Sequence, residues 1–223
     1  MILVLYSFLS GLQDEDTLFS QLLTQIPVRM QEQVFRYKKK EDRYRYLIGK
    51  ILLQKGFDRL GMGPGHSLEH IQYTAYSRPF LPNSPLDFNV SHSGSCVVCA
   101  MSDSCRLGID VERIEPVQVE DFIDQMSHEE WERIRTAKDR LADFYRYWTE
   151  KECVIKANGK GLSIPLKECP IIEQKAHVEG TDWFIREIVL TREYICHLAT
   201  DLREKESEIC LVENNFMGYG RPA

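Results

Sequence analysis

The sequence predicts an α+β fold of two similar halves packed together, each with an antiparallel sheet and packed helices. Three observations carry this reading. Apolar residues recur at helical spacing in two long segments, 41–55 and 139–157. Short apolar runs bounded by turn residues surround them and read as strands. Val97-Val98-Cys99-Ala100-Met101-Ser102-Asp103 also looks like Ile195-Cys196-His197-Leu198-Ala199-Thr200-Asp201, which points to an internal repeat. The 223 residues suffice for one large domain or two small ones. The boundary falls at 103–106, giving halves 1–104 and 105–223.

Taken in order, 2–9 is a strand and 14–25 a helix. The long helix at 41–55 uses Tyr44, Leu47, Ile48, Ile51 and Leu52 as its apolar face. Gly61-Met62-Gly63-Pro64-Gly65 is a loop. A short strand at 71–74 precedes an irregular stretch, 78–86, interrupted by Pro79, Pro82 and Pro85. Phe88-Asn89-Val90 then enters a turn at Ser91-His92-Ser93-Gly94, and 96–101 leaves it as a strand. Another strand covers 106–112. In the second half, Ser127-His128-Glu129-Glu130 is a capping box opening a short helix through Arg135. Asp139 caps the long helix, which Gly159 stops. Strands at 183–190 and 194–199 close the pattern, and the tail at 202–223 is left without a role.

Composition narrows the function. The chain is 43% apolar and 28% charged, ordinary for a soluble globular protein. A net charge of -6 argues against a nucleic-acid partner, which would call for a basic domain or stripe. The apolar opening 1–9 has no basic region before it and soon meets Asp14, Glu15 and Asp16, so it reads as a buried strand rather than a signal peptide. No apolar run is long enough to span a bilayer. Seven cysteines without an export signal point to reduced thiols in the cytoplasm. Cys96 and Cys99 form a C-x-x-C, but no second pair completes a zinc site, and they read as buried small hydrophobes.

The segment that demands chemistry is 148–162. Phe144, Tyr145, Trp148 and Ile155 form a helical stripe, and Glu152 lies within it. A carboxylate on such a face loses hydration and must find a cation or a donor. Lys156 follows at i+4, where the plain alternative is a surface Glu–Lys pair. On 106–112, Asp110 and Glu112 alternate with apolar residues and share one face, their Cα atoms about 6.6 Å apart. That spacing lets both reach one small divalent ion such as Mg²⁺, which is held by one or two carboxylates plus substrate phosphates. Taken alone, the pair favours a half-buried strand with its polar face in water. Asn89, Ser91, His92 and Ser93 crowd phosphate-binding groups into a turn. For His92 a structural role and a ligand role are evenly matched. His66, His70, His128, His177 and His197 have no such setting.

Phe88-Asn89-Val90-Ser91-His92-Ser93, Gly108-Ile109-Asp110-Val111-Glu112 and Trp148-Thr149-Glu150-Lys151-Glu152-Cys153-Val154-Ile155-Lys156 follow the order and spacing of the 4'-phosphopantetheinyl transferases. The chain resembles their Sfp-type, surfactin-synthetase-activating branch from about residue 41 to 166. The resemblance implies a monomeric pseudo-dimer that binds coenzyme A and Mg²⁺ (Mn²⁺ as the alternative) between its halves. The N-terminal half would contact coenzyme A, and the C-terminal half would hold the metal and dock an acyl or peptidyl carrier protein. The implied reaction moves 4'-phosphopantetheine to a carrier serine and releases adenosine 3',5'-bisphosphate. Asp110, Glu112 and Glu152 are then metal ligands, with Glu152 also the base. Lys156 and His92 serve catalysis and bind the pyrophosphate and phosphate. Ser91 and Arg45 lie near the 3'-phosphate, and Arg78, in Tyr76-Ser77-Arg78-Pro79-Phe80, lies beside adenine. Ser77-Arg78 departs from the usual Gly-Lys. A non-catalytic coenzyme A or nucleotide-binding protein and a metal-dependent phosphohydrolase are the alternatives.

Overall fold

In the computed structural model, which describes residues 1–9, 16–63, 65–203 and 208–216, the alternating apolar runs build two four-stranded sheets. The first has the order β10 (Ile209–Glu213), β1 (Ile2–Phe8), β5 (Cys96–Ser102), β4 (Asp87–Ser93). The second runs β6 (Leu107–Arg113), β9 (Tyr194–Thr200), β8 (Thr181–Glu187), β7 (Lys175–Val178). All pairings are antiparallel except β1 with β10.

The internal repeat is visible in the topology. A strand, a long helix and a hairpin follow one another twice: β1, α3 (Lys40–Arg59), β4 and β5, then β6, α5 (Arg140–Asn158), β8 and β9. In each half the hairpin's second strand lies between its partner and the first strand. The look-alike segments at 97–103 and 195–201 therefore occupy equivalent central strands, β5 and β9.

The halves stack as four layers, helix on sheet on sheet on helix. Leu47, Ile51 and Leu52 of α3 cover Leu5, Cys99 and Met101 on one face of the first sheet. Its other face, with Val4, Val98 and Ala100, meets Leu107, Ile109 and Leu198 of the second sheet. Cys153, Val154 and Ala157 of α5 cover that sheet's far side, over Trp183, Ile185 and Ala199. Cys96 and Cys99 face opposite layers, so they serve as small core residues and cannot share an ion. All seven cysteines stand unpaired.

Several expectations need correction. Ser91-His92-Ser93 continues strand β4, and the turn begins only at Gly94, whose φ is +53°. Pro79 and Phe80 form a two-residue strand, β3 (Pro79–Phe80), against β2 (Gln72–Tyr73), at positions where a missing N–H is tolerated. Helix α2 (Val28–Val34), β7 and β10 were not anticipated, because each is short and lacks sustained periodicity. The first helix, α1, spans Asp16–Leu23; its expected start at 14–15, the loop residue Pro64 and tail positions 204–207 and 217–223 lie outside the described residues. The capping box holds: Ser127 Oγ accepts the Glu130 N–H, and a Glu130 carboxylate oxygen accepts the Ser127 N–H, opening α4 (His128–Thr136). Asp139 accepts the Ala142 N–H, and Gly159 ends α5 at φ +93°. Among the described residues, no helix is long and apolar enough to cross a membrane.

Candidate active site

The site begins with the landing of α5 on β6. Gly108 has no side chain, and a Cβ there would stand 2.2 Å from the Cys153 carbonyl oxygen and 2.3 Å from the Ala157 nitrogen. The helix backbone therefore rests on the strand itself. This brings Glu152 and Lys156 of α5 over Asp110 and Glu112 of β6. Asp110 is only 2% exposed, so the alternative of a strand face turned to water does not hold for it.

The other wall comes from the N-terminal half. Strands β4 and β6 approach edge to edge, and β4 side chains take the place of a backbone ladder. Asp87 Oδ2 accepts the Leu107 N–H at 2.8 Å, and Asn89 Oδ1 accepts the Ile109 N–H at 3.0 Å. Ser91 Oγ donates to Asp110 Oδ1 at 2.8 Å, and Ser93 Oγ donates to Glu112 Oε2 at 2.5 Å. Period two along β4 aims these four side chains at β6. A Ser–His pair from adjacent strand positions is excluded for the same reason.

A cleft of about 300 Å³ opens at this seam, lined by Ser91, His92, Asp110, Glu112, Glu152 and Lys156, with Trp148 as an apolar wall. Lys156 Nζ lies 2.5 Å from Asp110 Oδ1 and 3.0 Å from Ser91 Oγ. So Lys156 pairs across elements with Asp110 rather than along the helix with Glu152. Burial drives the Lys156 ammonium toward a lower pKa, but Asp110, Glu152 and Glu112 outweigh it, and the pKa is raised. Burial pushes the Glu112 carboxyl up to about 7, with Asp110 and Glu152 adding to the rise against the Ser93 hydrogen bond. Burial also raises Glu152, opposed by Lys156. His92 stands at the cleft mouth; protein crowding, then the Arg45 charge, hold its pKa below the usual imidazole value.

The residues expected on the adenosine side are placed differently. Arg78 Nη2 is held by both Asp87 oxygens, at 2.9 and 2.7 Å, and by the Leu107 carbonyl at 2.9 Å. Its Nη1 is buried without a partner among the described residues. Arg78 lines a second cleft of about 160 Å³, with Tyr76, Ser77, Asn89, Gly159 and Lys156, and Lys156 thus belongs to both clefts. Ser77 sits at φ +63°, a backbone that glycine adopts freely. Arg45 lines neither cleft. Its Nε donates to the Gly94 carbonyl at 2.8 Å and its Nη1 to Asp42 at 2.6 Å, beside the β4–β5 turn.

Could the carboxylates hold a metal? Among the described residues, no three acidic, imidazole or thiol groups are gathered closely enough to grip an ion unaided. Two features nevertheless fit a hard divalent cation. The donors are all oxygen, and Asp110 Oδ2 is buried with no hydrogen-bond partner among the described residues. Mg²⁺ uses one or two protein carboxylates and completes its shell with water and substrate phosphate, so a partial protein shell suits it.

Sequence reasoning named Ser93 only among the phosphate-binding groups of a turn, missed Asp87 and Gly108 as builders of this site, and passed over His197. The signal for Ser93 and Asp87 was the alternation Asp87, Asn89, Ser91, Ser93. His197 is buried on β9, cross-strand from Asp110, with Nδ1 2.7 Å from Thr149 Oγ1 and Nε2 3.7 Å from Glu150 Oε1. A separate cleft of about 360 Å³ beside Phe184 and Arg203 lies at the β7–β8 hairpin, apart from the carboxylates.

The sequence profile of the 4'-phosphopantetheinyl transferase superfamily matches residues 106–203, and that of the 4'-phosphopantetheinyl transferase N-terminal region matches 13–104. The 4'-phosphopantetheinyl transferase gsp of Aneurinibacillus migulanus is 32% identical over 66% of this chain and 62% of its own length. Sfp of Bacillus subtilis (strain 168) is 34% identical over 67% of this chain and 66% of its own, and ffp of Bacillus subtilis is 34% identical over 76% and 74%. The chain thus spans a little under two thirds of the first two relatives. With both halves matched, the chain belongs to the 4'-phosphopantetheinyl transferases, in their Sfp-type branch.

Proposed function

We propose that this transferase takes 4'-phosphopantetheine from coenzyme A and attaches it to a serine hydroxyl of an acyl or peptidyl carrier protein, releasing adenosine 3',5'-bisphosphate. The observation that carries this reading is the seam cleft, where three carboxylates, Lys156 and His92 line one space. Asp110, Glu112 and Glu152 would hold Mg²⁺, which supplies Lewis-acid charge neutralisation on the pyrophosphate when bound.

Each residue has a task its surroundings support. Glu152 takes the proton of the attacking serine hydroxyl; burial raises its pKa and makes it a better base than a solvated carboxylate. As the serine oxygen bonds to the β-phosphorus, the bond from that phosphorus to the bridging oxygen breaks, and the electron pair leaves with adenosine 3',5'-bisphosphate. Lys156, charged and fixed between the two clefts, stabilises the developing negative charge. His92 at the mouth donates to a phosphate oxygen. Arg78 and the Ser77 backbone border the second cleft, where the adenosine portion would lie; Ser91 is engaged with Asp110 and Lys156, and Arg45, held by the Gly94 carbonyl and Asp42, would have to turn to reach the 3'-phosphate. One chain supplies both walls of the cleft, so a monomer suffices. Unpaired thiols throughout suit a reducing cytoplasm.

The test is incubation with coenzyme A, Mg²⁺ and a panel of apo fatty-acid, polyketide and nonribosomal-peptide carriers, followed by intact-mass measurement. At least one carrier is expected to gain one phosphopantetheinyl group. No gain across the panel would overturn the proposal, and free 4'-phosphopantetheine in the absence of carrier would point to a hydrolase instead.

A further inference from the structure

From the rungs between β4 and β6 we infer that Ser93, a residue of the N-terminal half with no assigned role, is a positioning residue for the carboxylate of Glu112. This inference rests on the proposed metal-binding role of Glu112. Ser93 Oγ accepts the Arg113 N–H at 3.1 Å and lies 2.5 Å from Glu112 Oε2. A hydroxyl has a single proton. With the Arg113 N–H directed at the oxygen's lone pairs, that proton is aimed at Glu112. Ser91 repeats the device one rung back: Lys156 Nζ donates to its Oγ, and the hydroxyl donates to Asp110 Oδ1. The two carboxylates of β6 are thus each gripped by a serine from the opposite half.

The two grips differ in redundancy. Asp110 is buried and also held by Lys156. Glu112 is half-buried near the end of β6, has one more rotatable bond, and among the described residues Ser93 is the one side chain recorded as hydrogen-bonded to it. The rung that matters most for ligand geometry is therefore Ser93. The registering bonds of Asp87 and Asn89 fix β4 against β6 without it, so the strands stay aligned when the hydroxyl is removed. Loss of a group that orients a metal ligand weakens metal binding by about 10–100-fold.

The test measures Mn²⁺ binding by electron paramagnetic resonance, in the presence of coenzyme A, for the parent, Ser93→Ala, Ser93→Thr, Glu112→Gln and the Ser93→Ala/Glu112→Gln double variant. Thermal melts in chelator establish that each is folded. The expected result is a 10–100-fold weaker dissociation constant for Ser93→Ala, near-parent binding for Ser93→Thr, which keeps the hydroxyl, and no further loss when Ser93→Ala is added to Glu112→Gln. In steady state, the Mg²⁺ concentration for half-maximal rate rises for Ser93→Ala while kcat at saturating Mg²⁺ is largely retained. If Glu112→Gln weakens Mn²⁺ binding and Ser93→Ala does not, the inference is wrong. If Glu112→Gln itself binds Mn²⁺ like the parent, the metal reading of Glu112 is what fails. Should Ser93→Ala not fold, Ser93→Thr decides: a loss of Mn²⁺ affinity comparable to that of Glu112→Gln despite the retained hydroxyl also overturns the inference.

Discussion

At the residue scale, Lys156 and Asp110 show how burial changes the meaning of a charge. Their contact joins a helix to a strand, and Asp110 has no water to fall back on. Lys156→Met is expected to lower kcat/KM by at least about 100-fold, within the range for a group that acts on transition-state charge or protons. Retention of more than a tenth of the activity would contradict the role. Glu152→Gln should leave the melting temperature near that of the parent and remove turnover. His197 gives a stability prediction. Burial, helped by Arg146, lowers its pKa from 6.5 to about 3. A base with a depressed folded pKa contributes stability that is full above about 6.5 and is lost as pH falls toward about 3, because the unfolded chain binds the proton first. Denaturation at pH 7 and pH 4.5 should therefore show a steeper loss for the parent than for His197→Asn, by up to about 1.4 kcal/mol per pH unit; equal slopes would contradict it. Asp110, Glu112, Glu152 and Lys156 were legible as residues because strand and helix periodicities placed them. The Lys156–Asp110 pairing was not, since it depends on where a distant helix lands.

At the scale of elements, two contacts set the site. The first is the bare backbone contact of α5 on β6 at Gly108. Gly108→Ala must lift the helix, and overpacking of this kind costs about 1–3 kcal/mol. Because it also moves Glu152 and Lys156 away from Asp110, activity should fall more than stability does; a fully active, fully stable Gly108→Ala would show that the contact is not required. The second is a buried hub beneath the middle of α5. Lys151 is 0% exposed, and its Nζ meets Glu130 Oε2 at 2.9 Å, the Leu166 carbonyl at 2.9 Å and the Cys169 carbonyl at 2.8 Å. Glu130 Oε1 accepts the Ile171 N–H. One ion pair thus ties α4, α5 and the 166–171 segment together. Glu130→Ala strands a buried ammonium and is expected to cost about 3–5 kcal/mol, read by urea denaturation. The capping box around Glu130 was visible in four consecutive residues; its partner Lys151 was not, because α5 is buried on more faces than its apolar stripe indicates. The reading of Ser91-His92-Ser93 as a turn failed for a related reason. Ser and Asn favour turns when nothing pairs with them, and here β5 pairs with the backbone while β6 takes up the Ser91 and Ser93 side chains.

On the scale of the whole molecule, the duplicated strand–helix–hairpin unit creates one seam, and the candidate site lies along it. Neither half alone contains the cleft, because β4 supplies one wall and β6 with α5 the other. The duplication could be glimpsed in the likeness of β5 and β9. The sheet-on-sheet stacking could not, since each strand's two apolar faces look alike in sequence. Strand β10 follows the second half in sequence yet completes the first sheet beside β1. Truncation after residue 203 should leave β1 as an open edge, lower the melting temperature and favour association; an unchanged melt would contradict this. The central claim is that carboxylates of β6 and α5, facing a β4 wall from the other half, converge on one divalent ion with coenzyme A. Its most direct test is an anomalous difference map from crystals grown with coenzyme A and Mn²⁺. The account predicts a single strong peak bonded to Asp110, Glu112 and Glu152 with Lys156 beside the pyrophosphate. A peak elsewhere, or coenzyme A bound away from this seam, would contradict it.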